Sequence, residues 1–432
     1  MKRFSLTLIS SLLCCVVFYT GMLKPCVQEP LYSLIQNHQI NYIKGNVVSN
    51  PVKSSSGKTY SVVFAPVEVG ILAEKSQENI YSSSSGEITL YIPCEIVEAY
   101  YPGKLFSLAS GIESYKNKTQ EKEKLFGSET QFPIIEEGVS LEVEASFLEQ
   151  ENNSQCFYVK KILSQGYESK IKFYRAYSRL FLKRILFNWG ECGGLLLALL
   201  SGSKEYTSVS VQDNFKNAGL AHVLALSGMH LSIFASLPSK IKKKKTELVS
   251  LILVILFVWF AGLSPSLFRA LLCMILSLVF KKLNVKTDLL GILSISFLIQ
   301  ISIFPTHIYN YGFILSYGAL VGLELGQQFV LPLFCKIFPK KLSTDLAASV
   351  GAQTITSPIT LVGFGTCSPI GIIASVVVSP VANFFLSFGI FALVLSLFFP
   401  FLLEPIGCIM SMIYVILTWI VDFFSKFPII QI

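Results

Sequence analysis

The side chains able to do chemistry at neutral pH are few in this chain, and they cluster. Ser227 and His230 stand three apart in Ser-Gly-Met-His, so on one helical turn hydroxyl and imidazole are neighbours. That is half of a nucleophile–base arrangement, which also needs an orienting third group and an oxyanion donor set. An intramembrane serine hydrolase is therefore kept only as an alternative. His222 precedes His230 by eight residues, about 80° around a helix, which puts both on one face. Arg269 lies inside LSPSLFRALLCMIL, where a charge in lipid costs several kcal/mol unless it meets water or a partner. Glu324, one turn before Gln327 and Gln328, is a second polar group in an apolar run. The chain has four histidines, His38, His222, His230 and His307, with no HExxH, CxxC or HxHxDH pattern, so no metal and no cofactor is expected. No GxxxxGK[ST] loop is present, so any transport draws its energy from another protein or a gradient.

These groups sit in a chain of 432 residues that is 52% hydrophobic and only 14% charged, with a mean hydropathy of +0.59. Soluble proteins average about 25% charged residues, which excludes a purely soluble chain. The formal charge of +8 is divided: residues 1–170 carry 15 Lys/Arg against 18 Asp/Glu, and residues 171–432 carry 20 against 9. Two solvents are implied. Lys2 and Arg3 before an apolar run, without Ala-x-Ala, read as an uncleaved signal anchor over 1–23 that leaves residues 24–170 outside the cytoplasm.

Within 40–165, runs such as INYIKGNVV, TYSVVFAPVEVGIL, EITLYIPCEIV, KLFSLASGI, VSLEVEASFL and CFYVKKIL alternate apolar and polar residues between turn signals. Five or six short strands fit a small extracytoplasmic β-barrel or sandwich, and a barrel of the OB-like type would suggest contact with nucleic acid. Residues 114–130 read as a charged loop. Tyr91, Tyr100, Tyr101 and Phe106 are either core aromatics or a stacking platform for bases, while the net negative charge of 24–170 opposes strong phosphate attraction. Cys94 and Cys156 are a candidate disulfide pair in an oxidising compartment.

Residues 171–188 read as a basic amphipathic interfacial helix, with Lys172, Arg175, Arg179 and Lys183 on one stripe, facing anionic lipid or a polyanion. Residues 189–432 read as a polytopic α-helical membrane domain. The run 219–237 is the simplest single crossing, 191–201 is too short to span, and Pro380 is expected to break the run 369–399 into two pieces. Basic loops at 241–245, 281–286 and 336–341 mark the cytoplasmic side. Small residues near Pro265, Pro358 and Pro369 suit close helix packing or an aqueous path.

Four ordered segments carry a resemblance. GLLLALLSGSKEYTSVSVQDNFKNAGLAHVLALSGMHLSIFA (194–235) resembles the signature of the ComEC competence family, with Gly219, His222, Ser227, Gly228 and His230 in its core. AGLSPSLFRALLCMIL (261–276), with Ser266 and Arg269, is similar to the family's second element. FPTHIYNYGFILSYGAL (304–320), with Gly312 and Ser316, is similar to the third, and ITSPITLVGFGTCSPIGIIASVVVSP (355–380), with Pro358, to the fourth. Asn310-Tyr311 stands where the family has an Asp before Gly-Phe, and Ala374-Ser375 replaces an Asn-containing segment.

The resemblance implies a multi-pass bacterial inner-membrane channel that passes single-stranded DNA into the cytoplasm during natural transformation, with no covalent chemistry of its own. It implies a path lined by His222, Ser227, Gly228, His230, Ser266, Arg269, Gly312, Ser316 and Pro358. The implied partners are DNA, membrane lipid, a DNA receptor, a nuclease and a cytoplasmic translocase, and the channel could be an oligomer. Many family members carry a metallo-β-lactamase-like domain; none is encoded before Ile432, so strand degradation is not expected of this chain. Two alternatives stand beside this reading: a transporter of another solute that shares the fold, and a degenerate homologue.

Overall fold

A computed structural model of the chain describes residues 11–12, 14–16, 31–54, 58–72, 79–94, 135–148, 155–236, 243–285 and 288–431. Most of the 1–23 segment, the 114–130 loop, Tyr100, Tyr101 and Phe106 lie outside the described residues. The chain divides into two compact units: Gln28–Ala198 with Ser203–Thr207, and Met1–Val27 with Leu199–Gly202 and Ser208–Ile432.

The first unit is built on seven paired strands: β1 (Tyr42–Val47), β2 (Val52–Lys53), β3 (Thr59–Ile71), β4 (Ile80–Ser83), β5 (Ile88–Pro93), β6 (Val139–Leu148) and β7 (Cys156–Tyr167). The period-two pattern does what it should: along β6, Val139, Leu141, Val143 and Ala145 are buried while the residues between them are half-buried. Strand order runs β1-β6-β7-β5-β3, and β3 pairs β1 again, so the pairings return to their starting strand. All are antiparallel except β5 with β7, where Leu90 lies opposite Phe157. The register of β1 against β3 shifts between Lys44 and Gly45, and the missing side chain of Gly45 lets its backbone approach the Ala65 carbonyl. Ile43, Val62, Phe64, Leu90, Leu141, Val143 and Phe157 fill the interior.

Cys94 and Cys156 do not form the expected bridge. Both are buried, but Thr89 is the register partner of Cys156 and Cys94 lies five residues further along. At roughly 3.3 Å per residue their separation is about 16 Å, well beyond the ~7 Å limit for a disulfide. Of the proposed stacking aromatics, Tyr91 is half-buried on β5 opposite Ser61.

Helices follow: α1 (Lys170–Leu186), α2 (Gly190–Ser201), α3 (Val209–Asn217), α4 (Ala221–Leu224), α5 (Gly228–Ser236), α6 (Lys243–Ala261), α7 (Pro265–Lys282), α8 (Leu289–Ile303), α9 (Tyr311–Phe329), α10 (Leu331–Phe334), α11 (Lys340–Phe364), α12 (Gly371–Phe398) and α13 (Leu403–Ser425). By length and composition α12 and α13 suffice to cross a membrane, and α2, residues 246–261 of α6 and α8 are shorter apolar helices.

Two expectations change here. The run 219–237 is not one helix: α4 ends in extended backbone at Ala225, and α5 restarts at Gly228 and holds nine residues, about 14 Å at 1.5 Å each. The run 369–399, by contrast, is not broken: α12 continues through Pro380 for 28 residues, because the ring costs one backbone hydrogen bond and apolar packing holds both flanks, with Val378, Ala382 and Phe385 buried. Helix α11 likewise passes through Pro358, and Thr354 and Thr356 donate to the carbonyls of Val350 and Ala352 beside it.

Candidate functional site

The interruption between α4 and α5 is where the first two motif segments meet, while the third joins through Arg269 and the fourth packs against Gly219 ahead of α4. Residues 225–227 are not helical, so their carbonyls need outside partners. Ser266 supplies one: its hydroxyl donates to the Leu226 carbonyl at 2.6 Å. Ser266 is placed for this by the start of α7, where Ser264 caps the helix by accepting from Leu267 N and Pro265 occupies the first turn. From the other side, Gly219 takes a left-handed φ of +74°. A Cβ there would lie 2.9 Å from the Gly371 Cα and 3.3 Å from the Ser368 Cβ, so the first segment lies backbone to backbone against the fourth. Gln353 donates to the Ser368 carbonyl at 2.7 Å and holds that turn.

His230 folds back onto the beginning of its own helix. The Ser227 backbone N–H donates to His230 Nδ1 at 3.1 Å, and the Ser227 hydroxyl lies 3.2 Å from the same nitrogen. Because a backbone N–H can only donate, Nδ1 accepts, and in the neutral ring the proton sits on Nε2. That nitrogen is fully buried and has no acceptor among the described residues. A serine-hydrolase triad would put a carboxylate on the far nitrogen of the imidazole; here the ring latches the helix start.

Arg269 enters the same region from α7. It is 6% exposed, and its Nη1 donates to the backbone carbonyl of Ser316 on α9. Its guanidinium carbon lies 5.7 Å from the centroid of the Tyr317 ring. No carboxylate pairs with it among the described residues, and its Nε is buried without an acceptor. The Nη2 nitrogen stands 3.7 Å from where a Cβ on Gly228 would be, beside the first residue of α5. A buried cation without a counter-charge costs several kcal/mol, so the fold holds it there against a penalty.

A second layer supports Arg269. The Tyr317 hydroxyl donates to Gln300 Oε1 at 3.1 Å and lies 3.1 Å from Ser296 Oγ. Gln300 Nε2 donates to the Pro265 carbonyl at 3.0 Å and to His307 Nδ1 at 3.1 Å. Ser296 and Gln300 are fully buried on α8. The sequence reading passed over Gln300, Ser296 and Tyr317, and weighed His307 only as a metal ligand. The signal available was Gln300 itself, the one amide in the apolar run LLGILSISFLIQISI.

The site residues named from sequence thus separate. Ser227, Gly228, His230, Ser266, Arg269 and Ser316 come together, Ser316 through its backbone carbonyl. His222 is exposed on α4 and bonds the backbone of Gly219. Gly312 is exposed at the start of α9, where its N–H donates to Asn310 Oδ1 at 2.8 Å; Asn310 caps the helix as an aspartate would. Pro358 is exposed within α11.

The basic stripe of α1 exists but faces inward. Arg179 and Lys183 are fully buried: Arg179 Nε lies 3.0 Å from Glu136, and Lys183 Nζ lies 2.7 Å from Glu136 and 3.0 Å from Glu205. Arg175 pairs with Glu137 at 3.2 Å, and Lys172, partly exposed, pairs with Glu168. Burial pushes the Glu136 carboxyl up, but the charges of Arg179 and Lys183 outweigh it and hold the group below its ordinary range. The exposed face of α1 is instead aromatic and aliphatic: Ile171, Tyr174, Tyr177 and Phe181. No group of three or more His, Cys, Asp or Glu able to hold a metal occurs among the described residues.

Comparison with known proteins identifies the family of the helical part of the chain. A family model described as Competence protein matches residues 199–432. ComE operon protein 3 of Bacillus subtilis is 26% identical over 214 residues, 47% of this chain and 26% of that protein. An uncharacterized protein of Aquifex aeolicus is 26% identical over 234 residues, 54% of each chain. The chain thus spans about a quarter and about half of the length of these curated relatives. No solved structure matches it. With more than half of its length matched, the chain belongs to the competence protein family, of the ComEC type.

Proposed function

We propose that this chain is a multi-pass inner-membrane channel that passes single-stranded DNA into the cytoplasm during transformation, with no covalent chemistry of its own. The observation that carries the reading is Arg269: a guanidinium buried in the helical unit, without a carboxylate partner among the described residues, held where the motif segments meet. A polyanion that crosses lipid needs a hydrated route with cations along it. Helices α12 and α13, with the shorter apolar helices, support membrane residence, and family membership supports DNA as the cargo. The ring of strand pairings, with its one parallel pair, supports an OB-like barrel for the first unit.

The test is uptake of labelled double-stranded DNA into a nuclease-protected cytoplasmic pool. A deletion strain is compared with strains restored by the intact gene or by Arg269→Ala at equal protein level. Loss on deletion, recovery with the intact gene and at least about a tenfold deficit with Arg269→Ala are the expected results. Equal protection in every strain overturns DNA import and favours transport of another solute.

A further inference from the structure

We propose that Gln300 is the positioning residue of the Arg269 site, and that it holds this position only while His307 is neutral. Gln300 stands on α8, outside all four motif segments, and is fully buried in an apolar run. Its amide reaches three elements at once. Nε2 donates to the Pro265 carbonyl at the start of α7 and to His307 Nδ1 in the 3-10 turn Pro305–Tyr309, while Oε1 accepts from the Tyr317 hydroxyl on α9. Chemistry fixes the orientation of the amide, because a carbonyl such as that of Pro265 can only accept. What the amide holds is the surround of the guanidinium. Pro265 precedes Ser266, whose hydroxyl fastens Leu226, and Tyr317 follows Ser316, whose carbonyl takes Arg269 Nη1. Tyr317 also sets its ring 5.7 Å from the guanidinium carbon. One side chain therefore fixes where α7 starts relative to the residues of α9 that bind its arginine.

His307 makes the arrangement conditional. Its ring is half-buried and stacks on Phe304 with centroids 4.8 Å apart. Both hydrogens of the Gln300 amide nitrogen are committed, one to Pro265 and one to Nδ1, so Nδ1 accepts and the ring is neutral. Protonation sets an N–H of the ring against the amide N–H, donor against donor, and the bond is lost. The elements packed on the turn bring no carboxylate to hold an imidazolium there. Helix α8 has no ionisable side chain; on α9, Tyr311 lies against Phe364, Tyr317 bonds Gln300, and Glu324 stands about 20 Å beyond Tyr311 at 1.5 Å per residue. Helix α7 meets the turn through Phe268, 5.3 Å from Phe304; its Arg269 is bonded to Ser316, its Cys273 lies 3.5 Å from Ser296 Oγ, and Lys281 and Lys282 are at its far end. Within the turn, Tyr309 is exposed. With the basic loop 281–286 in the cytoplasm, α8 carries the turn to the outer side, where the pH of the medium reaches it. That placement, and DNA as the cargo, rest on the reading of the preceding subsection.

The full chain, isotopically labelled at its histidine nitrogens, is placed in phosphatidylcholine nanodiscs and its nitrogen resonances are followed against pH. The signals lost in His307→Gln belong to His307. At neutral pH they are expected to show a bare Nδ1 and a protonated Nε2, and Gln300→Met is expected to mix the two tautomers. Nuclease-protected DNA uptake is then measured over the same pH range at equal protein level. Native uptake is expected to fall about tenfold one pH unit below the His307 midpoint, where about a tenth of the rings stay neutral. His307→Gln, whose side-chain carbonyl accepts at every pH, is expected to hold uptake flat, and Gln300→Met to give the low level throughout. A proton on Nδ1 at neutral pH, native uptake in Gln300→Met, or the native acid loss retained in His307→Gln overturns the proposal. Normal DNA uptake in a deletion strain would overturn the channel reading and leave the nitrogen spectra to decide the bond.

Discussion

The hydroxyl of Ser266 and the carbonyl of Leu226, forty residues apart in the chain, meet at 2.6 Å. This bond fastens the first turn of α7 to the interruption between α4 and α5, so Arg269, one turn beyond Ser266, stands beside Gly228. A hydroxyl that satisfies an orphaned carbonyl also fixes the position of the charge that follows it.

Removing that fastening has a defined consequence. Ser266→Ala leaves the Leu226 carbonyl without its donor, at a cost of about 1–3 kcal/mol. Ser266→Thr keeps the hydroxyl. DNA protection is expected to fall severalfold in the alanine strain and to recover in the threonine strain. Equal uptake in both would show that the bond does not position the site.

Replacing the buried cations of α1 tests stability and not affinity. Lys183→Met leaves Glu136 with Arg179 and Glu205 without the ammonium, and loss of one partner of a buried pair costs roughly 3–5 kcal/mol. Thermal unfolding of the purified chain should shift down by several degrees, while the salt dependence of oligonucleotide or anionic-vesicle binding stays as in the native protein. A flattened salt dependence without loss of stability would instead place these cations on a binding surface.

Acid should release the same cluster. The Glu136 carboxyl is held below its ordinary value, about 4.3, so its contribution to stability is complete above that pH and is lost as pH falls through the lower folded-state value. Between pH 7 and pH 3 the unfolding midpoint of the native chain should drop at the acid end. Glu136→Gln, less stable at neutral pH, should show a shallower acid loss. Parallel curves for the two proteins would contradict the assignment.

Close approach of α9 and α11 gives a packing prediction. A Cβ on Gly322 would collide with the Gly351 carbonyl, one on Gly326 with the Ala347 carbonyl, and one on Gly351 with the Gly322 carbonyl. Backbone cannot swing aside as a flexible side chain can, so Gly351→Val should cost about 3 kcal/mol or more and lower the amount of folded protein in membranes. Gly166→Ala, whose Cβ would meet only the Ser140 Cβ at 3.8 Å, should be neutral. Immunoblots of membrane fractions distinguish the two.

Much of this arrangement was legible in the sequence, for physical reasons that differ by region. Period-two alternation named β3, β6 and β7 because each has one face in a core. Arg269 stood out because charge is rare in such runs. The disposition of α1 was not legible: helical spacing puts Arg175, Arg179 and Lys183 on one stripe whether that stripe faces lipid or protein. The deciding groups, Glu136 and Glu137, lie 38 to 47 residues earlier, beyond any periodic window. The break at residues 225–227 had its signal in Ser227, Gly228 and His230, expected to sit where a helix is interrupted, while hydropathy alone, which measures solvent preference and not helix continuity, left 219–237 as one run. Pro380 erred in the opposite sense, a breaker by local rule that packing overrides.

The division of the chain at Ser203–Thr207 bears on how the two units can be inherited. These five residues belong to the β unit, although the chain on both sides of them belongs to the helical one. Glu205 supplies one of the two carboxylates around Lys183, and Tyr206 packs on the β core with its ring 5.7 Å from the Lys183 ammonium. A graft cut at residue 198 would therefore carry a buried lysine with half its counter-charge. Exchange of the β unit between relatives has to keep residues 203–207 with it, so a chimaera needs further junctions on either side of those five positions.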